Sequence, residues 1–93
     1  MKITFASDKK AGKPHYLVGH PDIDKHEFGE VFSRPMVVIG RRGLVLKAVG
    51  RTPEGRFLTV VFIRRRGNHY HVITAWRSKR KQILLWHREM KKK

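Results

Sequence analysis

Four short apolar segments, separated by tight-turn residues, lie between residues 36 and 76 of this sequence. They span residues 36–39, 44–50, 57–63 and 70–76, and the turn residues between them are Gly43, Thr52-Pro53-Glu54-Gly55 and Gly67-Asn68. Short apolar runs between such residues are typical of strands, and short turns join antiparallel neighbours. The pattern therefore predicts an antiparallel meander, with 57–63, which is apolar on both faces, as a central strand.

A helix is predicted just before this meander. Asp24 is a suitable N-cap, and Glu27 three residues later completes a capping box. Ile23 and Phe28 have the spacing of a hydrophobic staple, and Pro35 indicates the end of the helix.

The two ends of the chain complete the predicted architecture. Residues 2–6 suggest a short edge strand, 7–13 a loop, and 15–18 a strand or an extended loop. Ser78 is placed to cap a C-terminal helix that runs to about Met90. Its predicted buried stripe is Ile83, Leu84, Trp86, His87 and Met90. We expect a single α+β domain over residues 1–93, with four to five strands, one helix before the meander and one after it.

Positive charge is abundant and unevenly distributed. The chain has 22 Lys and Arg against seven Asp and Glu, a formal charge of +15, and residues 41–93 carry +14 of it. Such an excess favours nucleic acid or an acidic protein as partner. Cysteine is absent, which excludes disulfides and Cys-based zinc sites. No apolar run is long enough to span a bilayer and no signal peptide is expected, so the cytoplasm is the predicted compartment.

The predicted meander sorts the basic residues between its two ends. Arg51 leaves one strand, Arg56 enters the next and Arg77 leaves the last, so these three should gather at one end of the sheet. Lys79 and Arg80 follow in the first turn of the last helix, where acids are normally preferred. An anion is therefore expected nearby. The opposite end should hold Arg41, Arg42, Arg64, Arg65, Arg66 and His69.

Three segments of the sequence resemble a known family. They are Val49-Gly50-Arg51-Thr52, then Gly55-Arg56 with the apolar strand that follows, and Val72-Ile73-Thr74-Ala75. Together with Glu30-Val31-Phe32 and Pro35, they resemble BrnT-type toxins, small members of the RelE-like ribonuclease superfamily found in type II toxin–antitoxin modules. The resemblance covers roughly residues 20–88 and implies a RelE-like fold. In that family an arginine follows Ser/Thr-Ala, whereas here Trp76 stands there and Arg77 follows it.

The resemblance implies an endoribonuclease that needs neither metal nor cofactor. Such an enzyme activates the ribose 2′-hydroxyl against the adjacent phosphate and requires a base, an acid and cations for the developing charge. Arg56 and Arg77 would hold the scissile phosphate, with Thr74 assisting by hydrogen bonding. Trp76 could stack an unpaired base beside Arg51.

The general acid and base are not fixed by the sequence. Histidine suits both roles, and six are present: His15, His20, His26, His69, His71 and His87. We take His71 as the candidate, although it should lie toward the end opposite Arg51. His69-x-His71 could also chelate a metal, but no third ligand follows from the spacing, so no metal site is predicted. Lys25 is a possible phosphate ligand if the first helix reaches the arginines.

The composition fits other functions equally well. The chain could be a non-catalytic RNA- or DNA-binding domain that uses the same arginines, or a basic subunit of a nucleoprotein assembly. The toxin hypothesis alone implies two partners, RNA and an acidic antitoxin protein that would cover the basic surface in a heteromeric complex.

Overall fold

The computed structural model describes residues 1–8, 13–14 and 23–92, and it shows an α+β fold. Its elements are β1 Lys2–Phe5, β2 Ser7–Asp8, β3 Lys13–Pro14, α1 Lys25–Phe32, β4 Val37–Arg42, β5 Val45–Arg51, β6 Phe57–Arg65, β7 His69–Arg77 and α2 Arg80–Lys91. The fold class, the helix before the meander and the helix after it are confirmed. The loop predicted over 7–13 is wrong at its ends, because β2 and β3 pair antiparallel. The strand suggested at 15–18 lies outside the described residues.

The main sheet has five strands in the order β1-β7-β6-β5-β4. The strands β4 to β7 form the predicted antiparallel meander, with β6 at its centre. At the turn between β6 and β7, Gly67 and Asn68 both adopt positive φ, which suits the mirror-image turns that join twisted strands. β1 lies at the edge, as predicted, but it pairs parallel to β7.

α1 covers one face of this sheet, which we call the α1 face. The Asp24 N–H donates to Glu27 Oε1 at 3.1 Å, as the capping box predicts, and Ile23 and Phe28 are both buried. Phe28, Val31 and Phe32 pack in one core cluster that also contains Ala48, Leu58, Val60, Phe62, Val72 and Ala75. The alternation of strand side chains therefore assigns the even-numbered residues 58–64 of β6 to the α1 face.

α2 packs against the opposite face, which we call the α2 face, over β4 and β5. It begins one residue later than predicted: Lys79 is the N-cap, because the Ser78 N–H still bonds the Phe57 carbonyl and extends the sheet ladder. The predicted buried stripe is partly wrong. Leu84 is 57% exposed and His87 is exposed, whereas Leu85 and Trp86 are half-buried.

Neither α1 nor α2 is long and apolar enough to cross a membrane, and this holds for the described part of the chain.

Candidate nucleic-acid interface

The strand register brings the three predicted arginines to one end of the sheet. Arg51 lies opposite Phe57, Arg77 lies opposite Leu58, and Arg56 directly precedes Phe57. Neighbouring strands are about 4.8 Å apart, so these backbone positions span about 10 Å. The predicted clustering along the sheet is therefore confirmed, but the side chains divide between the two faces.

Arg77 and Arg56 turn toward α1 and meet at Glu27. Arg77 donates from Nη1 to Glu27 Oε2 at 2.7 Å and from Nη2 to Oε1 at 3.0 Å, a bidentate pair. Arg56 Nη1 lies 4.0 Å from Glu27 Oε1. The Glu27 side chain is only 1% exposed, so its charge depends on these partners.

The electrostatics of Glu27 follow from this geometry. Burial by itself would raise the pKa of Glu27. Hydrogen bonds from Arg77 and from the Asp24 N–H, with the charges of Arg77 and Arg56, outweigh it and hold the pKa below its ordinary value. Arg77 therefore compensates a buried carboxylate. Arg56, whose side chain is 58% exposed, is the more available of the two for a phosphate.

Arg51 lies on the α2 face. Its guanidinium sits over the rings of Phe57, at 5.5 Å, and Trp86, at 5.9 Å. Arg34, which was not among the predicted site residues, also reaches this end, because its Nη1 donates to the Arg51 carbonyl at 3.4 Å. The position of Arg34 in the sequence does not predict this contact, because the contact depends on how α1 packs over β5.

Thr74 and Trp76 lie on the α2 face, so the structure does not bring them together with Arg77. Thr74 pairs with Val61 and Trp76 with Thr59, whereas Arg77 pairs with Leu58 on the α1 face. β7 extends as far as Arg77, so the adjacent residues Trp76 and Arg77 point to opposite faces. Trp76 is nevertheless next to a cation, with Lys47 Nζ at 5.6 Å from its ring centroid.

The start of α2 is fixed by Gln82. Its Oε1 accepts hydrogen bonds from Thr59 Oγ1 at 2.8 Å, from Trp76 Nε1 at 3.2 Å and from the Lys79 N–H at 2.8 Å. The Lys79 and Arg80 side chains are both exposed at this end of the sheet.

Lys25 stands apart from this end of the sheet. Its Nζ lies 5.6 Å from the ring centroid of Phe5, and Phe5 pairs with Val72 in the middle of β7. α1 does reach the arginines, but it does so through Glu27.

A second group of polar side chains lies at the other end of β7, as predicted from the meander. His69 Nε2 and His71 Nδ1 lie 2.8 Å and 2.7 Å from the same atom, Thr4 Oγ1. Lys2 and Arg65 are the direct neighbours of His69 on the adjacent strands. No local pattern in the sequence points to Thr4, because the parallel pairing of β1 with β7 joins residues more than sixty positions apart.

The remaining histidines do not join either group. His87 packs near Phe57 and Trp86, and His15 and His20 lie outside the described residues. In the described part of the chain, His26, Glu30 and Glu54 bring one ligand atom each to within 4.8 Å of one another. His26 and Glu54 are exposed, and His26 and Glu30 form an ordinary i,i+4 helix pair at 3.7 Å. We assign this cluster no role.

Comparisons with protein-family models, with curated proteins and with solved structures found no match for this chain.

Proposed function

We propose that this protein binds RNA and cleaves it as a metal-independent endoribonuclease of a BrnT-like toxin–antitoxin module. The observation that carries the proposal is the convergence of Arg51, Arg56 and Arg77 from separate segments at one end of the sheet. Such a cluster suits a phosphate backbone. Arg56 is the arginine of this cluster that we assign to an RNA phosphate, since it is exposed and only loosely associated with Glu27.

The alternative is a non-catalytic RNA- or DNA-binding domain, or a nucleoprotein subunit, that uses the same surface. One specific observation favours it: Arg77 is engaged by Glu27 on the α1 face, whereas Thr74 and Trp76 lie on the α2 face. A single phosphate therefore cannot contact Arg77, Thr74 and Trp76 at the same time, because they lie on opposite faces of the sheet. Binding depends only on the cationic surface, whereas cleavage needs an assembled acid–base pair.

One experiment separates the two functions. A labelled single-stranded RNA is incubated with the purified protein, binding is followed by fluorescence anisotropy and cleavage by gel electrophoresis. Arg56→Ala should weaken binding several-fold and lower cleavage by at least tenfold, because it removes a bidentate phosphate ligand. The matched control is Arg88→Ala, an exposed arginine on α2, which should change neither. RNA that is bound but stays intact would support the non-catalytic alternative.

The toxin proposal also includes a partner and a compartment. We propose an acidic antitoxin protein that binds the cationic surface in a heteromeric complex in the cytoplasm. The charge of +15 supports an acidic partner, because complementary charge speeds and orients association. The test is co-expression with short acidic proteins encoded beside this chain, with rescue of growth as the readout. Growth that never depends on such a protein would contradict the proposal.

A further inference from the structure

Two histidines share one hydroxyl group on the α2 face. His69 Nε2 and His71 Nδ1 both lie at hydrogen-bonding distance from Thr4 Oγ1, at 2.8 Å and 2.7 Å. All three side chains are half-buried, so they are held in place while keeping contact with solvent. Such an arrangement fixes two imidazole rings around a single oxygen atom.

We propose that His69 and His71, positioned by Thr4, are the base and the acid of the RNA-cleaving reaction, with Lys2 and Arg65 as its phosphate ligands. This inference rests on the proposed ribonuclease function and places its scissile phosphate beside the histidines, at the end of β7 opposite the arginine cluster. Lys2 and Arg65 flank His69 on the two neighbouring strands, each about 4.8 Å away along the sheet. A phosphate on this surface would therefore lie beside the imidazoles and between two cations.

The shared hydroxyl permits the two protonation states that the reaction needs. A hydroxyl oxygen can accept two hydrogen bonds. If neutral His69 donates its Nε2–H to Thr4, its Nδ1 keeps the lone pair of a base. If protonated His71 donates its Nδ1–H to the same oxygen, its Nε2–H remains available as the acid.

The charges around His69 favour the neutral form that a base requires. Partial burial, and then the positive charges of Lys2, Arg65 and protonated His71, hold the pKa of His69 below its ordinary value of 6.5. The titratable groups that face His69 are Lys2 on β1, Arg65 on β6 and His71 on β7, and each of them is positive when charged. They would stabilise the anionic transition state as well as keeping the base unprotonated.

The reaction balances without metal, water or any other reactant. His69 takes the proton of the ribose 2′-hydroxyl, and the 2′-oxygen forms a bond to phosphorus. The bond from phosphorus to the 5′-oxygen breaks, and His71 gives its proton to that oxygen. The products are a 2′,3′-cyclic phosphate and a 5′-hydroxyl end.

The histidine pair shares a face of the sheet with Thr74 and Trp76, two predicted site residues that do not lie together with Arg77. His71, Thr74 and Trp76 lie on the α2 face along β7, from the histidine pair toward the end that holds Arg51. From His71 to Arg77 is six residues, about 20 Å, or the length of a few nucleotides of extended strand. A single RNA strand along the α2 face of β7 would therefore contact the histidine pair and Trp76 at the same time and reach Arg51 at the end of the sheet.

The test measures cleavage of a single-stranded RNA, with chemical identification of the new ends, in the presence of a chelator. His69→Asn and His71→Asn should each lower the cleavage rate by about a hundredfold or more, while RNA affinity changes less than threefold. Thr4→Val, which removes a positioning group, should shift the acid limb of the pH–rate profile. His87→Asn is the matched control and should cleave normally. Thermal unfolding confirms that each variant is folded.

The outcomes distinguish this inference from the proposed function. Cleavage by folded His69 and His71 variants at the unaltered rate would overturn the inference and leave the ribonuclease function in place. Cleavage abolished by the chelator would also overturn it, because the reaction would then require a metal ion. Failure of the unaltered protein to cleave RNA would overturn both proposals together.

Discussion

Glu27 introduces a negative charge into the interior at the end of the sheet where three arginines gather. It is 1% exposed and accepts two hydrogen bonds from Arg77 as well as one from the Asp24 N–H. One residue thus serves as helix cap and as anchor for β7, and α1 is tied to the sheet by a charged contact. Arg77 is therefore as much a structural residue as a candidate for binding RNA.

Arg77→Leu should lower the free energy of unfolding by about 3 kcal/mol, because it leaves the Glu27 carboxylate buried without its main partner. Urea unfolding at pH 7 measures the change. The double variant Glu27→Leu/Arg77→Leu should recover most of the loss, since no buried charge remains. Arg88→Ala is the surface control. A double variant no more stable than Arg77→Leu would contradict this role of the pair.

The lowered pKa of Glu27 predicts a loss of stability in acid. The unfolded chain takes up a proton near the ordinary value of 4.5, whereas the folded chain does so only at lower pH. The stabilisation from Glu27 is thus fully present above pH 4.5 and is lost as the pH falls through the folded-state pKa. Unfolding free energies measured from pH 6 to pH 3 should fall less steeply for Glu27→Gln. Identical slopes would show that other groups dominate.

At the level of elements, α1 approaches β5 closely at one glycine. A Cβ built on Gly50 would lie 2.8 Å from Val31 Cβ, a separation that requires the helix or the strand to move. The absence of a side chain at Gly50 therefore allows α1 to pack closely against β5.

Gly50→Ala should lower the free energy of unfolding by about 1 to 3 kcal/mol, the usual cost of overpacking a core. The matched control is Gly29→Ala within α1, where a Cβ would meet nothing within 4 Å. It should raise stability by about 0.5 to 1 kcal/mol, because alanine favours helix over glycine. Thermal unfolding of both variants measures the difference. Destabilisation of equal size in the two would contradict the close approach seen at Gly50.

Local signals account for the parts of the fold that the sequence predicted well. The cap at Asp24, the turn at 52–55 and the positive-φ turn at Gly67 depend only on nearby residues. The buried stripe of α2 was partly wrong, because residues 83–86 are all apolar and periodicity alone does not fix which of them faces the sheet; Leu84 is exposed and Leu85 is half-buried.

The sequence predicted the end of the sheet at which each site residue lies, but not the face that its side chain occupies. Turn lengths alone placed Arg51, Arg56 and Arg77 at one end of the sheet. Which face each side chain occupies depends on where β7 ends and on its register shift near Ile73, where one extra residue enters opposite β6. The partners of Arg77 and His71, which are Glu27 and Thr4, come from distant elements, and no local pattern signals such contacts.

In the folded molecule, the uneven charge along the chain becomes an uneven distribution of positive charge over the surface. The sheet holds arginines at both ends, and the exposed Arg65 and Arg66 lie at the turn beside the histidine pair. The last turn of α2 and the residues after it carry further positive charge, with Arg88 and Lys92 beside Glu89. If RNA follows β7, the arginines at the turn beside the histidine pair contact phosphates, whereas the cations at the end of α2 do not.

The salt dependence of RNA binding tests this division. Each phosphate contact on a single strand contributes about 0.7 to the slope of log K against log salt. Replacing Arg65 and Arg66 together by Gln should therefore reduce the slope by about 1.4. Replacing Arg88 and Lys92 by Gln removes the same charge and should change the slope by less than about 0.7. Anisotropy titrations between low and physiological salt give both values. Equal reductions would mean that RNA responds to the net charge of the protein and follows no defined path across the sheet.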